Sequence, residues 1–233
     1  MIIESGSLGV TEAAAALDVN ASTAQRLLAT LVQDGFAVQS RDRRYGAGPA
    51  LHAPGLTMRI PHVTDRLRPA LEELFERTGE TVHLASLVGT RILHLDGIEA
   101  RHRGLQFGVR VGVWLPAHLT ASGKVMLAEL DAQERAARYE RSGKRSDVDL
   151  DALTAELETV REARVAQNVE QSEPGMAALA VSVGRLAGQQ LSMSVALPIG
   201  RYTPERGEKW SRDLIEIADA VRQAHRGAAS LDA

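Results

Sequence analysis

The sequence predicts an α+β protein in two units, and three observations predict it. Near the N-terminus two short helical periods separated by a turn lead into a basic hairpin. A stretch dense in glycine and proline follows. Beyond it, hairpins of alternating apolar residues are bracketed by amphipathic helices, the pattern of a largely antiparallel sheet covered by helices. At 233 residues the chain exceeds one typical domain of about 100 to 200 residues, which suits a small unit joined to a larger one. The divisions read as 1–47, a linker over 48–62, and 63–233.

In the first unit Thr11–Leu17 reads as a short helix, with Thr11 as cap, Glu12 at the positive end of the dipole and four alanines. Asp18, Val19 and Asn20 make a turn. In a second helix Ser22 and Gln25 have capping-box spacing, and Ala24, Leu27, Leu28, Leu31 and Val32 recur on one face. Gly35 is placed to end it. The opposite face carries Ser22, Thr23, Gln25, Arg26, Thr30 and Gln33, which can hydrogen-bond but cannot pack a core. Phe36, Val38 and Tyr45 flank Ser40–Arg44 as a hairpin with Arg41, Arg43 and Arg44 near its tip. Helix, turn, helix, basic hairpin is the order of a winged helix-turn-helix.

Gly46, Gly48, Pro49, Pro54, Gly55 and Pro61 punctuate the chain in and just before the linker. In the second unit Asp65–Thr78 is helical and stops at Gly79, and Thr81–Val88 and Arg91–Asp96 form a hairpin turning at Gly89-Thr90. A third strand is expected near Leu105–Val111, and helices over Ala121–Leu130 and Leu150–Val165. Ala177–Val183 and Gln190–Leu197 make a second hairpin around Gly184–Gly188. Thr203-Pro204 opens a last helix with Trp210, Leu214, Ile217 and Val221 on one stripe.

Composition narrows the function classes. Aromatic residues are only 3%, so leucine, valine, isoleucine and alanine must build the core. With no cysteine there is no disulfide, thiolate zinc site or cysteine nucleophile, which fits a cytoplasmic protein. No apolar run reaches the roughly 18 to 20 residues of a membrane span, and Met1–Val19 lacks the features of a signal peptide. The net charge of −3 argues against indiscriminate coating of nucleic acid, yet between Asn20 and Ala47 four arginines outweigh two aspartates. The basic surplus therefore sits on the helix-turn-helix.

The segments NASTAQRLLATLVQDGF with RRYGAGPAL, AHLTASGKVMLAEL, and SEPGMAALAVSV with LSMSVALPIGRYT resemble the isocitrate-lyase-repressor (IclR) family of bacterial regulators, over nearly the whole chain. The resemblance implies a recognition helix and wing, a GAF-like effector domain with a ligand pocket, and an oligomer, a homodimer or homotetramer, that binds operator DNA. It implies a repressor or activator of transcription controlled by a small carboxylate effector, with no cofactor and no membrane partner. Family members usually carry a full helix before the position of Leu8, so the first helix of this winged unit reads as truncated; either the start codon lies upstream or the unit is incomplete. The latter case leaves a stand-alone small-molecule-binding protein with a degenerate DNA-binding domain as the alternative.

A polar helical face is ordinarily just solvated. Here the basic hairpin and the resemblance turn it into a DNA surface, with Ser22, Thr23, Gln25, Arg26 and Thr30 toward the groove and Arg43 and Arg44 on backbone phosphate. By resemblance the pocket falls at Ser122, Gly123, Asn168, Met176, Ala178, Ser194 and Ala196, with Trp114 as a wall; Trp114 and Met176 read equally well as core. Several relatives place a carboxylate, a cysteine and a second serine where Asn168, Ala178 and Ala196 stand. The less polar pocket implies a monocarboxylate with an aromatic or branched body, its carboxylate on the N–H groups of Ala121, Ser122 and Gly123.

Enzymatic readings find no support in the sequence. Ser122-Gly123-Lys124 lacks the upstream glycine and following Ser or Thr of a P-loop, with His118 and Val125 in those places. No nucleophile elbow is present, and the seven histidines show no paired ligand spacing, so neither a catalytic residue nor a metal site is expected.

Overall fold

A computed structural model describes residues 7–40, 42–48, 61–100, 108–109, 111–142 and 148–231. The first unit consists of Ser7–Leu8 (β1), Val10–Leu17 (α1), Ala21–Gln33 (α2), Ala37–Gln39 (β2) and Tyr45–Ala47 (β3). Its strands pair in the order β1-β3-β2. Asn20, not Ser22, caps α2, its Oδ1 accepting the Thr23 N–H at 2.8 Å and the Ser22 hydroxyl at 2.7 Å. An asparagine there satisfies an orphan N–H of the first turn, so the Ser22–Gln25 capping-box spacing goes unused. Gly35 follows the helix with φ +74°, a conformation that favours glycine.

Leu8, Ala13, Ala24, Leu28 and Tyr45 form the small core of this unit. The apolar stripe expected on α2 is only half used. Leu27 and Leu31 are 46% and 38% exposed, since nothing among the described residues covers that side of the helix.

The second unit runs Pro61–Thr78 (α3), Thr81–Val88 (β4), Arg91–Ile98 (β5), Trp114–Pro116 (β6), Ala121–Ala128 (α4), Ala132–Arg141 (α5), Leu150–Ala163 (α6), Val165–Val169 (β7), Met176–Leu186 (β8), Gln189–Pro198 (β9) and Pro204–Leu231 (α7). Its sheet is antiparallel throughout in the order β6-β5-β4-β9-β8-β7. One face packs on α3 and α7 through Leu67, Leu71, Leu74, Trp210, Leu214 and Ile217. The other packs on α4 and α6 through Val125, Met126, Leu153 and Leu157. Because both faces are covered, β4 and β9 are buried along almost their whole length, and α4 is buried on every side.

Several expected boundaries move. Helix α3 begins inside the stretch assigned to the linker, whose residues 49–60 lie outside the described ones. The strand expected near Leu105–Val111 is absent from Gly108 and Val109, while Leu105, Gln106, Phe107 and Arg110 lie outside the described residues. Trp114–Pro116 pairs with β5 instead, placing Pro116 on a sheet edge where its missing N–H costs no ladder bond. The helix starting at Ala121 stops at Ala128, and Asp131 caps a separate helix, α5, by accepting the Glu134 N–H at 2.7 Å. The helix expected to reach Val165 ends at Ala163, where Arg164 takes φ +62° and turns the chain into β7.

Candidate functional site

The candidate nucleic-acid interface is the outer face of α2. Ser22, Gln25, Arg26 and Thr30 are exposed there and Thr23 is half-buried. The Ser22 hydroxyl is held by Asn20, and the Thr30 hydroxyl donates to the Arg26 carbonyl at 3.0 Å. The Arg26 and Arg43 side chains make no ion pair among the described residues, which leaves both cations available to an anion. Arg43 stands at the hairpin tip with φ +63°. Arg44 is placed differently from its expected role. Its guanidinium turns along the surface toward α1, giving bonds of 3.1 and 2.8 Å to the two Glu12 oxygens and one of 2.9 Å to the Ser7 hydroxyl. These bonds, with the Gly9 N–H, hold the Glu12 carboxyl below the usual carboxylate range. Arg41 lies outside the described residues.

The second site is a partly open cavity of about 50 Å³ between the sheet and the start of α4. The sheet positions Ala178 opposite Ala196 and next to Asn168, and places Ser194 opposite His83. Six of the expected pocket residues, Ser122, Asn168, Met176, Ala178, Ser194 and Ala196, line it. Asn168 works on the wall itself, its Nδ2 donating to the Leu119 carbonyl at 2.6 Å and the Ser172 hydroxyl at 2.9 Å. Its Oδ1 accepts the Gln171 N–H at 2.9 Å, so the side chain ties the loop after β7 to the turn before α4.

Two expected residues are elsewhere. Gly123 does not line the cavity: its N–H donates to the Thr120 hydroxyl at 3.0 Å, and a Cβ there would lie 2.1 Å from the Ala117 carbonyl oxygen. Glycine is present to let two backbones approach. Of the three N–H groups assigned to an anion, those of Ala121 and Ser122 remain without a partner among the described residues. Trp114 lies outside the cavity, with the Arg91 guanidinium 5.5 Å from its ring. It faces a groove where the end of α2 meets the β4–β5 turn, so close that a Cβ on Gly35 would lie 2.2 Å from Val88 Cγ1.

Sequence reasoning missed His83, His94, Ile92, Leu115, Ser172 and Glu173, all on the cavity wall. The one available signal was a histidine at an inward position of each strand of an otherwise apolar hairpin.

Two family models match: the IclR helix-turn-helix domain over residues 4–41 and the bacterial transcriptional regulator IclR C-terminal domain over residues 57–223. The HTH-type transcriptional regulator BhcR of Paracoccus denitrificans is 32% identical over 226 residues, covering 94% of this chain and 81% of that protein. The crystal structure of the Thermotoga maritima IclR superposes with a TM-score of 0.64 at 24% identity, covering 94% of this chain and 91% of that one. An IclR homologue from Microbacterium hydrocarbonoxydans, solved in complex with 4-hydroxybenzoate, shares the fold with a TM-score of 0.60 at 20% identity, covering 95% and 92%. The helix-turn-helix, the helix-covered sheet and these matches agree, and the chain belongs to the IclR family of DNA-binding bacterial transcriptional regulators.

Proposed function

We propose that this regulator binds its operator as a symmetric homodimer or homotetramer and that a small carboxylate effector in the cavity beside α4 sets its affinity for DNA. The cavity carries the reading: a floor of alanines meets the N-terminus of α4, where the N–H groups of Ala121 and Ser122 point an uncompensated positive dipole end at the space. Ser194 adds a hydroxyl. A carboxylate is the group such a site prefers, and the 4-hydroxybenzoate complex of the Microbacterium homologue supports the same class.

The volume refines the effector's body. About 50 Å³ is room for roughly three to five waters, against about 150 Å³ for a cavity that holds benzene. Small side chains at Ala178 and Ala196 leave less space than the sequence implied, because Met176, Ile92 and Leu115 fill in from the sides. The enclosed part therefore suits a compact acid better than one with an aromatic or branched body lying wholly inside it.

Strand β5 links the two sites physically. Ile92 and His94 line the cavity, while the turn at its start abuts Gly35 at the end of α2. An effector that shifts β5 has a direct mechanical route to the DNA-contacting helix.

Selection from a random duplex library tests the first half, and it should return half-sites about one helical turn, roughly 34 Å, or a multiple apart. No enrichment would favour the stand-alone binding protein. Calorimetry with glyoxylate, pyruvate, isovalerate and benzoate tests the second, with the two small acids expected to bind more tightly.

A further inference from the structure

Residues 170–175 join β7 to β8 as a loop that is anchored at both its base and its crown. At the base the Glu170 N–H donates to the Met176 carbonyl at 2.8 Å, and the Gly175 N–H to the Glu170 carboxylate at 2.9 Å. Glu170 and Gly175 take left-handed backbone conformations, φ +58° and +77°, which reverse the chain within a few residues. The Gly175 carbonyl also accepts the Ile199 N–H at 2.8 Å, fixing the loop to the end of β9. At the crown, Asn168 accepts the Gln171 N–H and donates to both the Ser172 hydroxyl oxygen and the Leu119 carbonyl.

Lys124 of α4 adds a further anchor. It is only 1% exposed, and its ammonium donates to Glu156 of α6 and to the side-chain oxygen of Gln171. A buried charge is costly unless it is paired and hydrogen-bonded, so Lys124 and the loop depend on each other.

The consequence falls on Ser172, which lines the cavity. A hydroxyl carries one proton and two lone pairs. One lone pair takes the Asn168 Nδ2 hydrogen at 2.9 Å, which turns the hydroxyl proton away from Asn168, and no acceptor among the described residues receives it. Asn168 has both its amide hydrogens and its carbonyl oxygen engaged. Of these two side chains on the wall, Ser172 is the one with a donor to offer.

Resting on the carboxylate reading above, we infer that Ser172 is an effector-binding residue that donates its hydroxyl hydrogen bond to the acid, and that Asn168, Gln171 and Lys124 are positioning residues that hold it ready. The acid is then gripped by two elements, the N–H groups at the start of α4 and the loop after β7. A hydroxyl donating to a carboxylate makes a charge-assisted bond, and a loop that is already ordered loses little freedom when the bond forms.

The test pairs calorimetry of the full chain against pyruvate with amide hydrogen exchange of residues 171–175 in the free protein. Ser172→Ala should weaken pyruvate binding by about tenfold or more while leaving loop exchange as in the wild type. Ser172→Thr, which keeps the hydroxyl, should retain most of the affinity. Gln171 is exposed, so Gln171→Ala can be made without opening the core, and it should speed exchange across the loop and weaken pyruvate binding as well. Ser172→Ala binding pyruvate as tightly as the wild type overturns the contact and leaves the carboxylate site standing. Loop exchange unmoved by Gln171→Ala overturns the positioning role. Failure of pyruvate, glyoxylate, isovalerate and benzoate all to bind overturns the carboxylate reading itself, and the Ser172 contact with it.

Discussion

Arg44 reaches across the winged unit to Glu12 and grips both carboxylate oxygens, joining the third strand to the first helix. A residue that looks like a phosphate contact from its place in a basic hairpin is therefore a brace. Arg44→Ala and Glu12→Gln should each lower the urea midpoint of the first unit at neutral pH, and the double variant should lose little more than either alone. Because the Glu12 pKa is lowered, the brace is fully present above the ordinary carboxylate range and is lost as pH falls through the lowered value. Arg43→Ala, by contrast, should leave stability unchanged and reduce the salt slope of DNA binding by about one. Unfolding curves and salt-dependent gel shifts separate the two arginines, and an Arg44→Ala protein of wild-type stability would contradict the brace.

Gly123 tests whether the start of α4 is a binding element or a packing element at that residue. A Cβ would meet the Ala117 backbone at 2.1 to 2.5 Å, so Gly123→Ala should cost about 1 to 3 kcal/mol of stability through overpacking. Thermal denaturation measures it. If the variant is as stable as wild type yet loses acid binding, Gly123 touches the effector directly.

Tyr139 is buried, and its hydroxyl has no hydrogen-bond partner among the described residues. Burial pushes its pKa up to about 12, because the phenolate cannot be solvated there. Removing an unsatisfied hydroxyl should be neutral or stabilising, so Tyr139→Phe is expected within about 1 kcal/mol of wild type on the favourable side. Since the folded pKa lies above the ordinary value of 10, this residue's contribution is intact below pH 10 and declines as pH rises toward 12. The phenylalanine variant should accordingly resist alkaline unfolding better, and a clear loss of stability at neutral pH would show that the hydroxyl has a partner.

Ala178 faces Ala196 across the cavity floor. Ala178→Asp puts a second carboxylate beside a bound acid in a site with little water, and at least tenfold weaker acid binding is expected. Unchanged affinity in calorimetry would place the acid elsewhere.

Much of the fold was legible because local chemistry and global packing agree. Gly35 ends α2, Gly89-Thr90 turns β4 into β5, and Leu67, Leu71 and Leu74 repeat at the helical period that the sheet demands. Helix α5 was hidden because AQERAARYER has only three alanines and Tyr139 to mark its inner face, with no large aliphatic residue repeating at helical period. Strand β7 was missed, and its first residue Val165 read as helix, because Arg164, a residue with no turn preference, makes the break by adopting a left-handed conformation. In the site, Ser194 and the alanines were found through resemblance, whereas His83 and His94 emerge only when strands distant in sequence are put in register. Leu27 and Leu31 show the opposite failure, where a correct helical stripe was assumed to mean burial.

Coupling of one small acid to one operator through this chain is read most directly in the operator's dissociation constant with and without saturating acid. Fluorescence anisotropy of a duplex recovered by selection, at fixed salt, reports it. A change of about 5- to 150-fold is expected, with an equal reciprocal effect of the duplex on acid affinity. Arg26→Ala should weaken binding to the duplex by about 1 to 3 kcal/mol while leaving acid affinity in place. An operator affinity that is the same with every acid that binds would contradict effector control, whatever else the cavity holds.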